Sequence, residues 1–309
     1  MAMTTIVTTI AIISPGDMGH AIGRVILSNN PQTKRVITNL NGRSERTKAL
    51  SYSAGIIDTG SDEELLRQAD IILSIVSPSE AAAVAHRFSR HMSLNRGSTI
   101  YVDMNAIAPQ TTCSIASNFS EDCFVDGSIV GLPPRANEYS PTIYLSGKHA
   151  QKVALAIGDT SMLDIRVLGD EIGQASGLKM CYGTMTKGIT AIALHACVAA
   201  RSLKLDGAFL DELKRSMPHG FEMANRLIPD MAPKASRWVA EMEEIAKTNE
   251  EIGLTAELFQ AVANTYRFVA EKTPLGNEII EDRKRGTTLS DALDIMAECL
   301  DQKKQKLND

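Results

Sequence analysis

The sequence lacks the basic surplus that binding to a nucleic acid backbone requires. Lys and Arg total 32 of the 309 residues against 37 Asp and Glu, which gives a formal net charge of -5. Cysteine is scarce: the chain has five cysteines, which are widely scattered and form no CxxC motif. These absences argue against a nucleic acid partner, a disulfide scaffold and a cysteine zinc site, and they favour a reducing compartment.

Long apolar runs are absent as well. The longest, residues 188–200, is shorter than the roughly 20 residues that a membrane span needs, and the apolar start of the chain has no basic region or cleavage site. No His, Asp and Glu cluster has the spacing of metal ligands, so we expect no metal. With 44% hydrophobic and 22% charged residues, the composition predicts a folded cytoplasmic protein with no membrane partner.

The first half of the chain alternates short apolar runs with segments of helical pattern. The runs are β-branched, are typical of strands in a parallel sheet covered on both faces, and lie at 10–14, 36–40, 71–76 and 100–104. Past residue 168 the pattern is helical, beginning with one long helix from about 173 to 203. We expect an α/β protein: a doubly wound Rossmann domain over 1–170, then a long interdomain helix and an all-α substrate or dimerisation domain over 171–309.

A modified dinucleotide-binding turn follows the first strand. Where that fingerprint reads G-x-G-x-x-G, the chain has, in order, Ser14, Pro15, Gly16, Asp17, Met18 and Gly19. Gly16 would let the backbone approach a pyrophosphate at the helix N-terminus, and Gly19 would let the helix pack on the sheet. We expect Pro15 to hold Ser14 extended and Asp17 to turn away from the phosphates and cap the helix. The alternative is a tight turn that binds no ligand.

The tip of the second strand predicts which dinucleotide binds. NAD enzymes usually have Asp or Glu there, about 20 residues beyond the glycines, to bind the ribose hydroxyls. This chain has Asn41, Arg43 and Ser44 instead, with no carboxylate. Arg43 and Ser44, with Arg46 or Lys48 as further candidates, would bind a 2′-phosphate. NADP is therefore the expected cofactor, and the alternative is that Arg43 is a solvated surface residue.

Four motifs together resemble the 3-hydroxyacid dehydrogenase and 6-phosphogluconate dehydrogenase superfamily over nearly the whole chain. They are the modified glycine turn, Val76-Ser77-Pro78, Val102-Asp103-Met104-Asn105, and residues 173–179 at the start of the long helix. The stretch 237–245 resembles a poorly characterised branch with its own C-terminal helical domain. The resemblance implies that Ser77, Pro78 and Asn105 border the nicotinamide, that Val76 also binds the cofactor, and that Lys179 is the catalytic acid/base.

Lysine chemistry suits such a role. Hydride transfer at a carbinol carbon requires a proton to move on or off the oxygen, which a group with a pKa near neutrality does best. Burial and a positive nicotinamide ring would both lower the lysine pKa from its usual value near 10.4. Lys179 would then donate a proton in reduction and accept one in oxidation. The alternative is a lysine whose ammonium group simply reaches solvent at a helix end.

Two departures from the family pattern leave the substrate open. Gly183 stands where the family has an Asn that helps to hold the substrate hydroxyl, and Val130-Gly131-Leu132 stands where a Ser-Gly-Gly binds a carboxylate. Ser128 is the candidate to replace the lost hydroxyl donor. Further substrate candidates, each with a purely structural role as its alternative, are Tyr182, Thr186, Lys187 and Trp238.

The sequence therefore predicts an NADPH-dependent oxidoreductase that interconverts a hydroxyl and a carbonyl on a small metabolite, acidic metabolites included. One alternative is an imine reductase on the same scaffold, although those enzymes usually replace the lysine by Asp or Tyr. Another is an NADP-binding sensor without catalysis, since both departures lie in the substrate half. Because the long helix is apolar on most faces, we also expect a homodimer.

Overall fold

The computed structural model describes residues 7–29, 32, 34–94, 99–135, 139–158 and 162–308. The chain divides into two compact units, Met1–Met180 and Cys181–Asp309, and the division falls inside one long helix. The expected fold class is confirmed: the first unit is a Rossmann-like α/β domain, and the regular elements described in the second unit are all helices.

An eight-stranded sheet forms the centre of the first unit. Its strands are β1 (Thr8–Ile13), β2 (Lys34–Thr38), β3 (Ile57–Asp58), β4 (Ile71–Ser74), β5 (Ile100–Asp103), β6 (Phe124–Val130), β7 (Thr142–Ser146) and β8 (Asp164–Gly169). They lie in the order β3-β2-β1-β4-β5-β6-β7-β8. Neighbours pair in parallel except β6 and β7, which are antiparallel. The first six strands have the doubly wound order, with its reversal between β1 and β4.

Helices cover both faces of this sheet. They are α1 (Asp17–Asn29), α2 (Glu45–Ser53), α3 (Asp62–Gln68), α4 (Pro78–Leu94), α5 (Pro109–Ala116) and α6 (Ala150–Ile157). Successive strand residues point to opposite faces, so a continuous apolar run supplies two cores at once. In β1, Ile10 and Ile12 belong to one buried cluster, and Ala11 and Ile13 belong to the other.

The second unit begins within a long helix that starts in the first unit. Its helices are α7 (Gln174–Ser202), α8 (Asp206–Ser216), α9 (Pro218–Met231), α10 (Ala235–Glu251), α11 (Glu257–Lys272) and α12 (Leu289–Asn308). The most extensive helix pair is α10 with α11, where Met242, Ile245 and Phe259 are buried. None of the helices described is long and apolar enough to cross a membrane.

Candidate functional site

The turn after β1 contains a strained residue where the dinucleotide fingerprint has its first glycine. Ser14 has a φ of 61°, so the expectation that Pro15 holds it extended is wrong. The Gly16 N–H donates to the Ser14 carbonyl at 2.7 Å, which closes the turn within three residues. A left-handed φ costs a serine about 1 kcal/mol, whereas glycine adopts it freely. The tight reversal from β1 into α1 therefore overrides the local preference of the residue before proline.

The two glycines of this turn have different surroundings. A Cβ added at Gly16 would have no heavy atom within 4 Å, so this backbone faces open space. A Cβ at Gly19 would lie 3.0 Å from the Ser14 carbonyl oxygen and 3.1 Å from Ile12 Cγ2. Gly19 thus allows α1 to pack closely on β1, as the sequence predicts. Gly16 leaves the start of α1 accessible to a ligand.

Asp17 does not act as the expected cap of α1. It is the first residue of that helix, and its carboxylate accepts a hydrogen bond from Arg46 at 2.6 Å. Both side chains are partly exposed, and the opposite charges attract each other across the starts of α1 and α2. Lys48 pairs in the same way with Glu45. Met18 turns the other way and packs against the core of the first unit.

A polar pocket lies at the carboxyl ends of β1 and β2. It is lined by Ile13, Ser14, Asn39, Asn41, Arg43, Asp62 and Arg87. The Asn41 N–H donates to Asn39 Oδ1 at 2.9 Å, which shapes the loop after β2. Ser44 is the N-cap of α2 and accepts from the Thr47 N–H, so its hydroxyl is already engaged. Within the described residues, the Arg43 guanidinium has no hydrogen-bond or ion-pair partner.

The same pocket holds a carboxylate that the spacing after the glycines does not reveal. Asp62 begins α3, and its two carboxylate oxygens accept from Asn39 Nδ2 and from Arg87 Nε, each at 2.8 Å. Asp62 and Arg87 come from α3 and α4, so only the fold brings them to the tip of β2. Since these two charges pair with each other, Arg43 is the charged lining residue without an ionic partner in the described part of the chain.

The ends of β4 and β5 are tied together by Asn105. Its Oδ1 accepts from the Val76 N–H at 2.7 Å, and its Nδ2 donates to Ser74 Oγ at 3.2 Å. Pro78 begins α4, and Ser77 lies directly before it in the same loop. The structure therefore brings together the residues that the resemblance assigns to the nicotinamide, at the same edge of the sheet as the glycine turn.

Four polar side chains form a row beneath this edge, which we call the polar row: Ser74, Asp103, Asp126 and Ser146. They are register neighbours on β4, β5, β6 and β7, and each is at most 1% exposed. Paired positions on neighbouring strands point to the same face, so the row crosses the sheet without a break.

No group of three or more His, Cys, Asp or Glu in the described residues could hold a metal ion.

Asp103 is the least satisfied member of the polar row. Its Oδ1 accepts from the Asn105 N–H at 3.0 Å, while its Oδ2 has no hydrogen-bond partner within the residues described. Burial raises the pKa of Asp103 to about 7, and the neighbouring Asp126 carboxylate adds to the rise. A proton on Asp103 is therefore retained up to nearly neutral pH.

Lys179 lies close to the start of α7 and contacts the end of β6. Its Nζ donates to the Ile129 carbonyl at 2.6 Å, and the side chain is half-buried. The start of α7 is itself attached to β6, because the Asp126 carboxylate accepts from the Gly173 and Ser176 N–H groups at 2.9 and 3.1 Å. Lys179 is thus held at the carboxyl end of β6.

The loop after β6 places the other substrate candidates of the first unit. Ser128 is fully buried, and its hydroxyl has no partner among the residues that are described. Val130 ends β6, and Gly131 follows with a φ of 126°. A Cβ at Gly131 would clash with the Tyr139 hydroxyl. Tyr139 therefore joins the candidates, and nothing in its sequence position indicates that it returns to this strand end.

In the second unit, Lys187 is engaged in a buried ion pair. It forms a salt bridge with Glu241 of α10, and these side chains are only 14% and 11% exposed. The Lys187 ammonium also lies 4.9 Å from the centre of the Trp238 ring, which packs edge-on against Tyr266 at 5.3 Å. Lys187 and Trp238 therefore form one packed cluster, in which the lysine charge is already compensated.

Tyr182 and Thr186 lie one turn apart on α7. Tyr182 is exposed, and the Thr186 hydroxyl donates to its carbonyl at 3.0 Å. Between them, Gly183 is buried, and a Cβ there would lie 3.1 Å from Ile245 Cδ1. The Asn of the family pattern would not fit at this position unless Ile245 moved. Close packing of α7 on α10 thus explains the departure at Gly183.

Two families match separate parts of the chain. Residues 9–106 match the family described as NADP oxidoreductase coenzyme F420-dependent. Residues 200–269 match a domain of unknown function, DUF1932. The first match covers β1 to the loop after β5, and the second lies in the helical unit.

Individual proteins extend this relationship. The chain is 33% identical over 181 residues to an uncharacterized 28.5 kDa protein of Methanothermus fervidus. The matched region spans 59% of this chain and 68% of that protein. It is 26% identical, with a TM-score of 0.60 over 84% of this chain and 97% of the other, to a conserved protein whose structure is described as similar to 3-hydroxyacid dehydrogenases. The chain belongs to the 3-hydroxyacid dehydrogenase-like superfamily. Within it, the chain belongs to the branch with its own C-terminal helical domain.

Enzymes of the superfamily share the fold at lower identity. Mycobacterium tuberculosis 3-hydroxyisobutyrate dehydrogenase is 16% identical over 86% of this chain and 95% of its own, with a TM-score of 0.65. Streptomyces aurantiacus imine reductase is 15% identical over 94% and 99%, with a TM-score of 0.53. These likenesses concern the fold, and the family match over residues 9–106 supports an oxidoreductase.

The raised pKa of Asp103 predicts a pH-dependent stability. Its folded value of about 7 lies above the usual value of 3.8, so in that interval the folded chain keeps a proton that the unfolded chain has lost. This contribution is fully present at low pH and is lost as the pH rises to 7, by about 1.4 kcal/mol per unit. Asp103→Asn has no such loss, so its stability relative to wild type should rise by about 2–3 kcal/mol from pH 5 to pH 8.

Urea unfolding at pH 5, 6, 7 and 8 measures this difference. Glu45→Gln is the control, because it removes a carboxylate that is highly exposed and paired with a lysine, Lys48. A constant difference between Asp103→Asn and wild type across this range would show that Asp103 titrates normally.

Proposed function

We propose that this protein is an NADPH-dependent oxidoreductase that interconverts a hydroxyl and a carbonyl on a small metabolite, with Lys179 as general acid/base. The observation that carries the proposal is that Lys179 is held at the carboxyl end of β6. That strand runs parallel to β5, β4 and β1, so its end shares an edge of the sheet with the glycine turn. Ligands of open α/β sheets bind at this edge.

All five cysteines are free thiols, which supports a reducing, cytoplasmic location.

The glycine turn fits a dinucleotide pyrophosphate. The backbone at Gly16 faces open space, and α1 begins directly after it at Asp17. Free N–H groups at a helix start bind phosphate oxygens, and the helix dipole favours their negative charge. The Asp17 carboxylate, which would repel a phosphate, is neutralised by Arg46. Ser14, Pro15 and Met18 complete the turn.

Arg43 supports NADP over NAD. A ribose 2′-phosphate needs a cation at the tip of β2, and the guanidinium of Arg43 lines the pocket there without an ionic partner in the described residues. Asn41 and Ser44 flank it, and they would add polar contacts. Asp62 could accept ribose hydroxyls in the manner of an NAD enzyme, but its oxygens are already bonded to Asn39 and Arg87.

The chemistry follows from the position of Lys179. The bound nicotinamide would supply or accept the hydride. In reduction, the Lys179 ammonium donates a proton to the oxygen that gains negative charge, and in oxidation the amine removes a proton from the hydroxyl. The hydrogen bond to the Ile129 carbonyl orients Nζ before the substrate arrives. Val76, Ser77, Pro78 and Asn105 would border the nicotinamide; the Asn105 side chain fixes their loop through the Val76 N–H and Ser74.

The substrate pocket differs from that of 3-hydroxyacid dehydrogenases. Val130 and Gly131 carry no hydroxyl, so a substrate carboxylate would rely on backbone N–H groups at this loop, with Ser128 and Tyr139 as the nearby hydroxyls. Tyr182 and Thr186 remain candidates on α7. Lys187 and Trp238 would act on a substrate only if the Lys187–Glu241 pair opened, so we assign them a supporting role.

Arg43→Ala should separate the two nicotinamide dinucleotides. Loss of the guanidinium removes a charge-assisted contact to the 2′-phosphate, so Kd for NADPH should rise about 10- to 100-fold, while Kd for NADH changes less than about twofold. Fluorescence titration of the reduced cofactors measures both constants. Arg67→Ala is the control, because Arg67 lies on α3 in a surface pair with Glu64. Equal weakening of NADPH and NADH, or no weakening, would contradict the assignment.

Lys179→Met should separate carbonyl chemistry from imine chemistry. A panel of hydroxyacids is assayed with NADP+, and aldehydes, ketones and cyclic imines are assayed with NADPH; the active substrates should be hydroxyacids, aldehydes or ketones. The substitution should lower kcat on these substrates by about 10²–10⁴-fold, because it removes the proton donor and keeps the side-chain volume. Imine turnover that survives Lys179→Met would identify an imine reductase. Tight NADPH binding without turnover on any panel would identify a sensor.

We also propose that the protein is a homodimer joined along α7. Apolar and small residues recur on this helix at alternating steps of three and four, the spacing of a helix–helix seam. Seven residues form this stripe, and all but one of them are exposed: Tyr182, Met185, Ile189, Ile192, Ala196, Ala199 and Leu203, with Ile189 partly buried. Four large apolar side chains of this set are 48–68% exposed. A second copy of α7 would cover the stripe symmetrically, with the two alanines allowing close approach.

Ile192→Glu should dissociate such a dimer. A charge placed on the stripe of each copy would face its symmetry mate, so sedimentation velocity at about 10 µM should change from the dimer mass to the monomer mass. Leu155→Glu is the control, since Leu155 is a highly exposed apolar residue of α6, in the first unit. A monomeric wild type, or a dimer that survives Ile192→Glu, would contradict the proposal.

A further inference from the structure

Asp126 is a buried carboxylate for which the proposed chemistry has no role. It lies in the polar row on β6 and is 0% exposed. Its Oδ1 accepts from Ser176 Oγ at 2.6 Å, and its Oδ2 accepts from Ser146 Oγ at 3.1 Å and from the N–H groups of Gly173 and Ser176. An isolated charge in this position would be expensive, and these four donors compensate it.

All of these contacts surround the first turn of α7. The early N–H groups of a helix have no partner within the helix and need one from elsewhere. Asp126 takes two of these groups, and Ser146 Oγ accepts a third from Ala175 at 3.1 Å. The Ser176 hydroxyl is also 2.8 Å from Thr112 Oγ1. The polar row therefore sets where α7 begins, and the helix dipole adds to its attraction for a carboxylate.

The same two elements meet again one helical turn later. Lys179 follows Ser176 by three residues, so the two lie on neighbouring positions of one helix face. Ile129 follows Asp126 by three residues on β6, and its carbonyl accepts from Lys179 Nζ. Pairing of β5 with β6 ends at Asp103 and Asp126, so this carbonyl lies beyond the last paired residue of β5.

We propose that Asp126 is a positioning residue for Lys179: its carboxylate anchors the first turn of α7 to β6 and so fixes the amine at the end of that strand. The inference rests on the proposed function, which makes Lys179 the acid/base. Two attachment points between α7 and β6, at Asp126 and at Ile129, restrict both the position and the rotation of the helix start. A displacement of about 1 Å at a reacting group is enough to lower a rate substantially.

Asp126→Asn tests this in the full-length protein without any substrate. The asparagine side chain keeps the shape of the aspartate but has no charge, and its NH2 group would face the hydrogen-bond donors that now bind the carboxylate. The first turn of α7 should therefore loosen. Two readouts are used: the rate at which trace acetic anhydride acetylates Lys179, and hydrogen exchange of the peptide that carries the 173–180 amides. We expect acetylation of Lys179 to be at least about fivefold faster and exchange at least about tenfold faster. Asp122→Asn, on an exposed carboxylate just before β6, is the control and should change neither.

A split between kinetic constants separates positioning from general damage. Once the substrate panel has identified a turnover, Asp126→Asn should lower kcat at least about tenfold, with Kd for NADPH within about twofold of wild type. If Asp126→Asn does not fold, Ser176→Ala removes one bond to the carboxylate and should give smaller changes in the same direction. Unchanged acetylation and exchange would overturn the inference, as would equal losses in kcat and NADPH affinity. Failure of the proposed function would appear differently, as normal turnover in Lys179→Met.

Discussion

Parallel pairing of β1, β4, β5 and β6 is the constraint on which the rest of the site depends. Because the four strands run in one direction, their carboxyl ends meet at one edge, and residues distant in sequence meet there too. The glycine turn follows β1, the Val76 loop follows β4, and Asn105 follows β5. Lys179 reaches the same edge from a helix that β6 holds in place. No single one of these segments would identify a site by itself.

The polar row places polar and charged side chains beneath that edge, inside the folded core, where their burial is unfavourable. Burying Asp103 and Asp126 side by side raises the free energy of their charged forms, and the structure treats the two residues differently. Asp126 is surrounded by four donors from α7 and β7, so its charge has a structural use. Burial raises the pKa of both carboxyl groups; hydrogen bonds from Ser176, Ser146 and Gly173 oppose the rise at Asp126, whereas at Asp103 only Asn105 does. Groups like these commonly occur near functional sites, because a site needs polar atoms where packing favours apolar ones.

Much of this arrangement follows from local sequence pattern. The four continuous apolar runs locate β1, β2, β4 and β5 within about two residues, and the helical pattern from about residue 173 locates α7. The sequence pattern does not locate β3, α5 or α6. Ile57–Asp58 is too short to show a period, and residues 109–116 have little apolar pattern. Gly16 and Gly19 have the surroundings that the fingerprint predicts.

Contacts between distant segments could not be predicted in this way. Ser14 adopts a left-handed φ because the reversal into α1 requires it, against the preference set by Pro15. Asp17 pairs with Arg46, and Asp62 reaches the tip of β2, through approaches of helix starts that no spacing rule describes. Lys187 is compensated by Glu241, which lies 54 residues later. Such pairings depend on how whole helices pack against one another, and local sequence patterns do not determine that packing.

A crystal structure of the protein grown with NADPH tests the central claim most directly. We expect a pyrophosphate at the backbone of Gly16, a 2′-phosphate within about 3 Å of the Arg43 guanidinium, and a nicotinamide ring beside Asn105. We also expect Lys179 Nζ to face the reactive side of that ring. A 2′-phosphate far from Arg43, or an amine directed away from the ring, would contradict this claim.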